Sequence, residues 1–263
     1  MKATAPEAPL PHSLDRQVLI RAKRETVFRY FTDSERWAAW WGAGSTIDPR
    51  PGGKLFIRYP NAVEAAGEVV EVEAPRRIVF TMGFPSGDPI PVGASLVTIA
   101  LEADSAGTRL SLTHAFAEAG VRDHFVQGWR YQLSVFANVV ADAVHAQASA
   151  PIDAWFAAWS EPDDAKRLAL LDASVAANVR FRDRYSMVDG RADLEPHLSA
   201  VHRFMPGMKL ERLGAVRHCQ GTALADWVAR GPDGGERGRG TNVFTLDLDD
   251  KVEDVVGLWG AAG

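Results

Sequence analysis

The feature that most constrains this chain is a break in its pattern near the middle. A segment from about 121 to 146 has apolar residues at spacings of three and four, then runs into the small residues and proline of Ala148–Pro151. That spacing predicts an amphipathic helix, and a proline after small residues predicts its end. A fresh apolar helical segment, Ile152–Trp159, then opens a second series of helices followed by strands. The sequence therefore predicts two tandem α+β units, and 263 residues give each enough length for its own core.

Composition and charge exclude several classes of partner. The net charge of −5 at pH 7 gives no basic surface for nucleic acid or anionic lipid. No apolar run reaches the roughly 18–20 residues that a membrane span needs, and no apolar segment near the N-terminus resembles a signal peptide. The single cysteine, Cys219, cannot form an internal disulfide and is typical of a reducing compartment. We expect a cytoplasmic protein with neither nucleic acid nor membrane as a partner.

The first unit has alternating strand-like runs separated by turn residues, followed by the long helix. Short connections between successive strands predict an antiparallel meander. A helix of about 26 residues spans roughly 39 Å, which is enough to cross a whole curved sheet. The simplest assembly is a twisted antiparallel sheet that grips one long C-terminal helix. The predicted strands are Gln17–Ala22, Lys54–Tyr59, Gly67–Glu73, Arg77–Met82, Ser95–Glu102 and Thr108–His114.

Several signatures of this unit are similar to those of a known family. The segment Thr26–Trp41, the turn 51–53, the strand Gly107–His114 and the pair Gly128-Trp129 resemble the AHSA1-like branch of the START/SRPBCC helix-grip superfamily. The resemblance covers most of 14–142 and implies a domain at 13–147, with a hydrophobic cavity between the helix and the sheet.

Five residues are the candidates for ligand binding in that cavity. For each single aromatic residue the alternative is a space-filling role in the core. A histidine that ends a strand can take a polar role, or can simply bond the following loop. The candidates are Trp41, Phe56, Tyr59, His114 and Trp129.

The second unit resembles another family. Its signatures are Val179–Arg184, Val188–Leu194, Ala225–Ala229, Arg239–Phe244 and Val255–Gly260, and they resemble the SnoaL-like branch of the NTF2 superfamily. The resemblance implies a domain at 151–261, in which a bent antiparallel sheet wraps helices as a cone. It also implies a pocket and, in many members, a homodimer through this domain. The fold class expected for the whole chain is α+β, a helix-grip domain followed by an NTF2-like cone.

Strand alternation places polar residues on the inner face of this second sheet. Successive side chains point to opposite faces, so the apolar set of each strand marks its inner side. For Thr222–Arg230, Leu224 and Val228 place Asp226 inward, and the opposite register would place Trp227 there instead. The polar residues predicted inward are Asp183, His218, Asp226 and Asn242, and Tyr185 is a further ligand-binding candidate.

A polar cluster in an apolar cup suits acid–base chemistry. Burial raises the pKa of a carboxyl group, and a neighbouring histidine can hold or accept the proton. The hypothesis is that Asp183 or Asp226 serves as the catalytic base, with His218 and Asn242 orienting a substrate oxygen. The alternative is a satisfied hydrogen-bond network that serves structure or passive binding.

Function therefore stays open between three possibilities. The first is an enzyme-like binder of a hydrophobic oxygenated small molecule, with isomerase-like or cyclase-like conversion. The second is a non-enzymatic carrier or stress-response binding protein, and the third is an Hsp90-associated module. We expect no cofactor and no metal, because the chain has no phosphate loop, no dinucleotide fingerprint and no metal-ligand spacing.

Overall fold

The computed structural model describes Pro6 and residues 8–260, and the chain divides into two compact units, Met1–Ala141 and Asp142–Gly263. The predicted end of the second domain, residue 261, lies outside the described residues. In the described part of the chain, no helix is both long and apolar enough to cross a membrane.

The first unit is a seven-stranded antiparallel sheet with three helices. The strand order is β1-β7-β6-β5-β4-β3-β2, so every strand after β2 pairs with the one before it and β1 closes the edge beside β7. The elements are β1 (His12–Ile20), α1 (Arg24–Arg29), α2 (Ser34–Trp41), β2 (Thr46–Ile47), β3 (Lys54–Arg58), β4 (Glu64–Glu73), β5 (Arg77–Met82), β6 (Ser95–Asp104), β7 (Gly107–Phe116) and α3 (Ala119–Val144).

Aromatic residues fill the interior of this unit. Helix α2 begins after Asp33, whose carboxylate accepts a hydrogen bond from the backbone N–H of Arg36 and caps the helix. Its turns bury three tryptophans, and the apolar stripe of α3 adds Phe136 at their side. The rings of Trp40 and Phe136 meet edge to face with centroids 4.8 Å apart. The apolar residues predicted along one face of α3 are therefore buried, and they pack directly against the tryptophans of α2.

The second unit is a six-stranded sheet with three helices. Its strand order is β10-β11-β12-β13-β8-β9. All neighbouring pairs are antiparallel except β13 and β8, which are parallel, so the sheet is antiparallel over most of its width. The elements are α4 (Ser149–Ser160), α5 (Asp164–Ser174), β8 (Val175–Arg182), β9 (Met187–Asp189), α6 (Arg191–Phe204), β10 (Lys209–Cys219), β11 (Thr222–Arg230), β12 (Glu236–Leu246) and β13 (Val252–Trp259).

The core of the second unit lies between α4 and the sheet. Pro151 sits in the first turn of α4, where its missing N–H leaves no helical hydrogen bond unmade. The following turns bury Trp155, whose ring packs against Phe181 of β8 and Phe244 of β12. The predicted fold class is confirmed: the chain is α+β, with a seven-stranded sheet and its helices followed by a six-stranded sheet and its helices.

Candidate functional site

The second unit contains a cavity of about 460 Å³ at one end of its sheet. It lies between α6, the turn after β8, the start of β10 and the ends of β11, β12 and β13. Its walls are mainly apolar, with the aromatic rings of Trp159, Phe181, Tyr185, Trp227 and Trp259. The polar residues that line it are Asp183, Ser186, His197, Arg237 and Asn242. A cavity of this size and composition suits a small apolar ligand with few polar groups.

Asp183 is held at the wall of the cavity by two N–H donors. It directly follows β8, and its Oδ1 accepts from the backbone N–H of Tyr185 at 2.8 Å. Its Oδ2 accepts from the indole Nε1–H of Trp259 at 3.1 Å. The two donors fix the position of the carboxylate, and each oxygen keeps a further lone pair for a ligand.

Asn242 is oriented by a neighbouring tryptophan. The residue is 4% exposed, and its Oδ1 accepts from the indole Nε1–H of Trp227 at 2.9 Å. An indole N–H can only donate, so the amide oxygen must face Trp227 and the amide nitrogen must face away from it. Asn242 therefore offers the cavity a donor of fixed orientation.

Gly257 explains how Asp183 and Asn242 come to lie side by side. This glycine is on β13, between the strands that carry them. A Cβ atom added to it would lie 2.9 Å from Cβ of Asp183 and 3.3 Å from Oδ1 of Asn242. The two side chains therefore share the space that a side chain at residue 257 would occupy.

His197 is a cavity residue that the sequence analysis missed. It lies on α6, and its Nε2 is 3.3 Å from Oγ of Ser186. Burial lowers the pKa of His197, and the negative charge of Asp183 opposes this only in part. The imidazole is therefore neutral near pH 7. Its position was readable, because it shares the apolar face of α6 with the buried Leu194 and Leu198.

The prediction that Asp226 faces inward is wrong. The inner face of β11 carries the buried Ala225 and Trp227, which is the alternative register. The Asp226 carboxylate lies on the outer face, where it accepts from the hydroxyl of Thr241 at 2.5 Å and pairs with Arg217 at 3.3 Å. It does not line the cavity.

His218 faces inward as predicted but lies at the other end of the strand. It is paired with Ala223 next to the β10–β11 turn, whereas the cavity is at the Leu210–Ala229 end. Its Nε2 accepts from the backbone N–H of Gly221 at 3.0 Å, and its ring is 5.2 Å from that of His145. Burial, and then the charge of His145, lowers the pKa of His218. It therefore cannot orient a ligand beside Asp183.

Tyr185 lines the outer part of the cavity. Its ring is 69% exposed and meets Trp259 edge to face, with centroids 5.2 Å apart. Of the residues predicted for this site, the structure brings Asp183, Tyr185 and Asn242 together.

In the first unit, His114 and Trp129 belong to a closed hydrogen-bond chain. The indole N–H of Trp129 donates to Nδ1 of His114 at 2.9 Å, so the ring proton must be on Nε2. That N–H reaches Oγ of Ser95 at 2.7 Å, and the Ser95 hydroxyl donates to the carbonyl of Met82 at 2.7 Å. His114 is fully buried, and burial lowers its pKa to about 3. These groups satisfy one another within the core.

Of the other three residues predicted in the first unit, two line a surface cleft and the third does not. Trp41 and Tyr59 line a cleft of about 340 Å³ with Gln132. Burial raises the pKa of Tyr59, so its hydroxyl stays protonated. Phe56 does not join them, because β3 turns the buried Leu55 and Ile57 to the core and Phe56 to the opposite face.

Metal binding has no structural support in the described residues. No group of three or more histidine, cysteine, aspartate or glutamate side chains there is arranged to hold an ion.

Comparison with known proteins gives one family match and several similar solved structures. A family model described as activator of Hsp90 ATPase homolog 1-like protein matches residues 21–141, which is less than half of the chain and lies within the first unit. The search among curated proteins returned no significant match.

Several solved structures are similar to parts of this chain. A putative isomerase of the SnoaL-like family from Agrobacterium tumefaciens is 24% identical over 44% of this chain and 99% of its own, with a TM-score of 0.42. CalU16 from Micromonospora echinospora is 24% identical over 49% of this chain and 76% of its own, with a TM-score of 0.41. The Aha1 dimer from Colwellia psychrerythraea is 16% identical over 46% of this chain and 90% of its own, with a TM-score of 0.39.

Proposed function

We propose that this protein binds a hydrophobic, oxygenated small molecule in the cavity of its second unit. The observation that carries the proposal is a mainly apolar cavity whose wall presents Asp183 and Asn242, each held in place by an indole N–H. Apolar walls favour the body of such a ligand, and a few fixed polar groups orient its oxygen. In this proposal the chain joins an AHSA1-like domain, 13–147, to a SnoaL-like domain, 151–261.

Acid–base conversion of the bound molecule is the second candidate function. Asp183 and His197 both line the cavity, and His197 is neutral near pH 7 because it is buried. A neutral imidazole can accept a proton, and a nearby carboxylate can stabilise the cation that forms. This constellation replaces the predicted one, since Asp226 and His218 lie elsewhere.

A homodimer in the reducing cytoplasm completes the proposal. The exposed Leu213 and Leu258 occupy one row across the outer face of the second sheet, together with Asp226 and Thr241, and could pack against the same row of another copy. The lone Cys219 is consistent with reducing conditions. Sedimentation velocity of the full chain measures the oligomeric state.

Filling the cavity is expected to abolish ligand binding. Ala229 lies on the inner face of β11, is 4% exposed and lines the cavity, so Ala229→Phe puts a ring where the ligand would sit. Leu168→Phe is the control, because Leu168 is 40% exposed on α5 and does not line the cavity. The measurement is calorimetric titration of the full chain with cyclohexane, decalin, naphthalene and androstane derivatives that carry one oxygen substituent.

The proposal requires that wild type and Leu168→Phe bind members of this panel and that Ala229→Phe does not. Absence of binding by the wild type, or equal binding by Ala229→Phe, would exclude the cavity as a ligand site. Turnover of a bound compound that is lost with His197→Phe would establish the conversion. Hsp90 ATPase stimulation without ligand binding would favour residues 21–141 as the active part.

A further inference from the structure

We propose that the cavity selects a ligand hydroxyl group, which donates a hydrogen bond to the Asp183 carboxylate and accepts one from the Asn242 amide. This inference rests on the proposed function, since it names the chemical group that the same cavity recognises. It follows from which polar atoms face the cavity and from how close together they lie.

The amide of Asn242 presents only donors to the ligand. Its oxygen is taken by Trp227, and its nitrogen makes no hydrogen bond with the described part of the chain. The residue is almost completely enclosed, at 4% exposure, and it lines the cavity. Because Asn242 lines the cavity, this N–H can donate to a ligand that brings an acceptor.

The carboxylate of Asp183 presents only acceptors to the ligand. Tyr185 and Trp259 each donate one N–H to it and together fix its position. If the carboxylate rotated away, it would lose these hydrogen bonds from Tyr185 and Trp259. The lone pairs that remain favour a ligand that brings a donor, and a hydrogen bond to an ionised group is stronger than one between neutral groups.

The side chains of Asp183 and Asn242 line the same cavity, next to one another. A Cβ atom built on Gly257 would lie 2.9 Å from Cβ of Asp183 and 3.3 Å from Oδ1 of Asn242, and in this proposal one ligand oxygen contacts both polar groups. A hydroxyl oxygen carries its donor and its acceptor lone pairs on one atom, so it matches a donor and an acceptor placed side by side.

Other oxygen groups match this pair less well. An ether or a ketone accepts from Asn242 but turns a second lone pair toward the Asp183 carboxylate. A carboxylate brings a charge of the same sign, which is repelled more strongly in an apolar cavity than in water. The pair therefore separates alcohols from molecules of the same shape that lack the O–H.

The test uses matched ligands on one protein. Each scaffold of the panel carries in turn a hydroxyl, a methoxy, a keto or a carboxylate group, and dissociation constants are measured with the full chain. The alcohol is expected to bind about 10-fold or more tightly than the methyl ether and the ketone, since a hydrogen bond to a charged group contributes at least that much.

Two conservative variants assign the preference to the two side chains. Asp183→Asn keeps the shape of the residue and removes its charge, so it is expected to weaken alcohol binding about 10-fold without weakening methyl ether binding. Asn242→Asp keeps an acceptor for Trp227 and removes the amide donor, so it is expected to weaken alcohols and ethers alike. Asp189→Asn is the control and leaves both unchanged, because Asp189 is exposed at the end of β9 and does not line the cavity. Circular dichroism and thermal melting verify that each variant is folded.

The outcomes separate this inference from the proposed function. If no compound binds, the proposed function fails. If compounds bind but ketones or ethers equal the alcohols, the cavity is a ligand site and the hydroxyl inference is wrong. If Asp183→Asn weakened the binding of alcohols and ethers equally, Asp183 would have only a structural role, and the hydroxyl inference would also be wrong.

Discussion

Acidification from pH 6.5 to about pH 3.5 is expected to lower the unfolding free energy of the first unit by about 3–4 kcal/mol through His114 alone. Burial lowers the pKa of this histidine to about 3, against about 6.5 in an exposed chain. Between these two pKa values, His114 is protonated in the unfolded state and neutral in the folded state. Stability is therefore lost as the pH falls through this window, and the loss ends near pH 3.

The hydrogen-bond chain explains why His114 stays neutral in the folded state. Nδ1 of His114 already accepts from Trp129, and Nε2 donates to Ser95, so a second ring proton would face the indole N–H. His114→Gln retains one acceptor and one donor but does not titrate. The comparison is urea unfolding of both proteins at several pH values, followed by the indole NMR signal of Trp129.

The difference between the two proteins isolates the histidine, since other titrating groups are common to both. Wild type is expected to be the more stable at pH 7, with its advantage shrinking by about 1.4 kcal/mol per pH unit below pH 6. An advantage that stays constant down to pH 4 would show that His114 accepts a proton in the folded state, which this hydrogen-bond pattern forbids.

Gly257→Val is expected to abolish binding of every panel compound. The first carbon of the new side chain would lie 2.9 Å from Cβ of Asp183 and 3.3 Å from Oδ1 of Asn242, closer than carbon and oxygen atoms pack. Asp183 and Asn242 must then separate, and their hydrogen bonds to Trp259 and Trp227 are disturbed. Overpacking of this kind lowers the unfolding free energy by about 1–3 kcal/mol.

A graded series makes this prediction specific. Gly257→Ala is expected to weaken binding about 10-fold, because losing one charge-assisted hydrogen bond has that effect, and Gly257→Val is expected to remove binding altogether. Gly128→Ala in α3 is the matched control, since a Cβ at that position meets nothing within 4 Å. Calorimetric titration measures the affinity of all three variants, and thermal melting verifies that each is folded. Unchanged affinity in Gly257→Val would mean that the ligand does not use Asp183 and Asn242.

Much of the fold and part of the site could be predicted from the sequence. Alternation along single strands placed Asp183 and Asn242 correctly, because large apolar neighbours such as Phe181 and Phe244 mark the inner face clearly. It failed at Asp226, since β11 carries apolar residues on both faces: Trp227 lies on the inner face, and Leu224 and Val228 lie on the other. Alternation therefore did not decide the register of this strand.

The remaining errors concern position and tertiary context. Alternation along a strand predicts which face of the sheet a side chain lies on, but not where along the strand the cavity is. It therefore placed His218 on the correct face, although the cavity lies at the opposite end of β10. The irregular pairing between Leu213 and Arg217 also interrupts the pattern. In the first unit, only the packed structure shows that His114 is satisfied by Trp129 and Ser95.

The measurement that tests the central claim most directly is the set of tryptophan indole NMR signals of the full chain on addition of a bound panel compound. The chain has eight tryptophans, and Trp159, Trp227 and Trp259 line the proposed cavity. Single Trp→Phe variants assign the signals. We predict shifts confined to these three, with the indole signals of Trp227 and Trp259 moving as Asn242 and Asp183 engage the ligand. Shifts at Trp41 of the first unit, with those of Trp227 and Trp259 unchanged, would contradict a ligand site in the second unit.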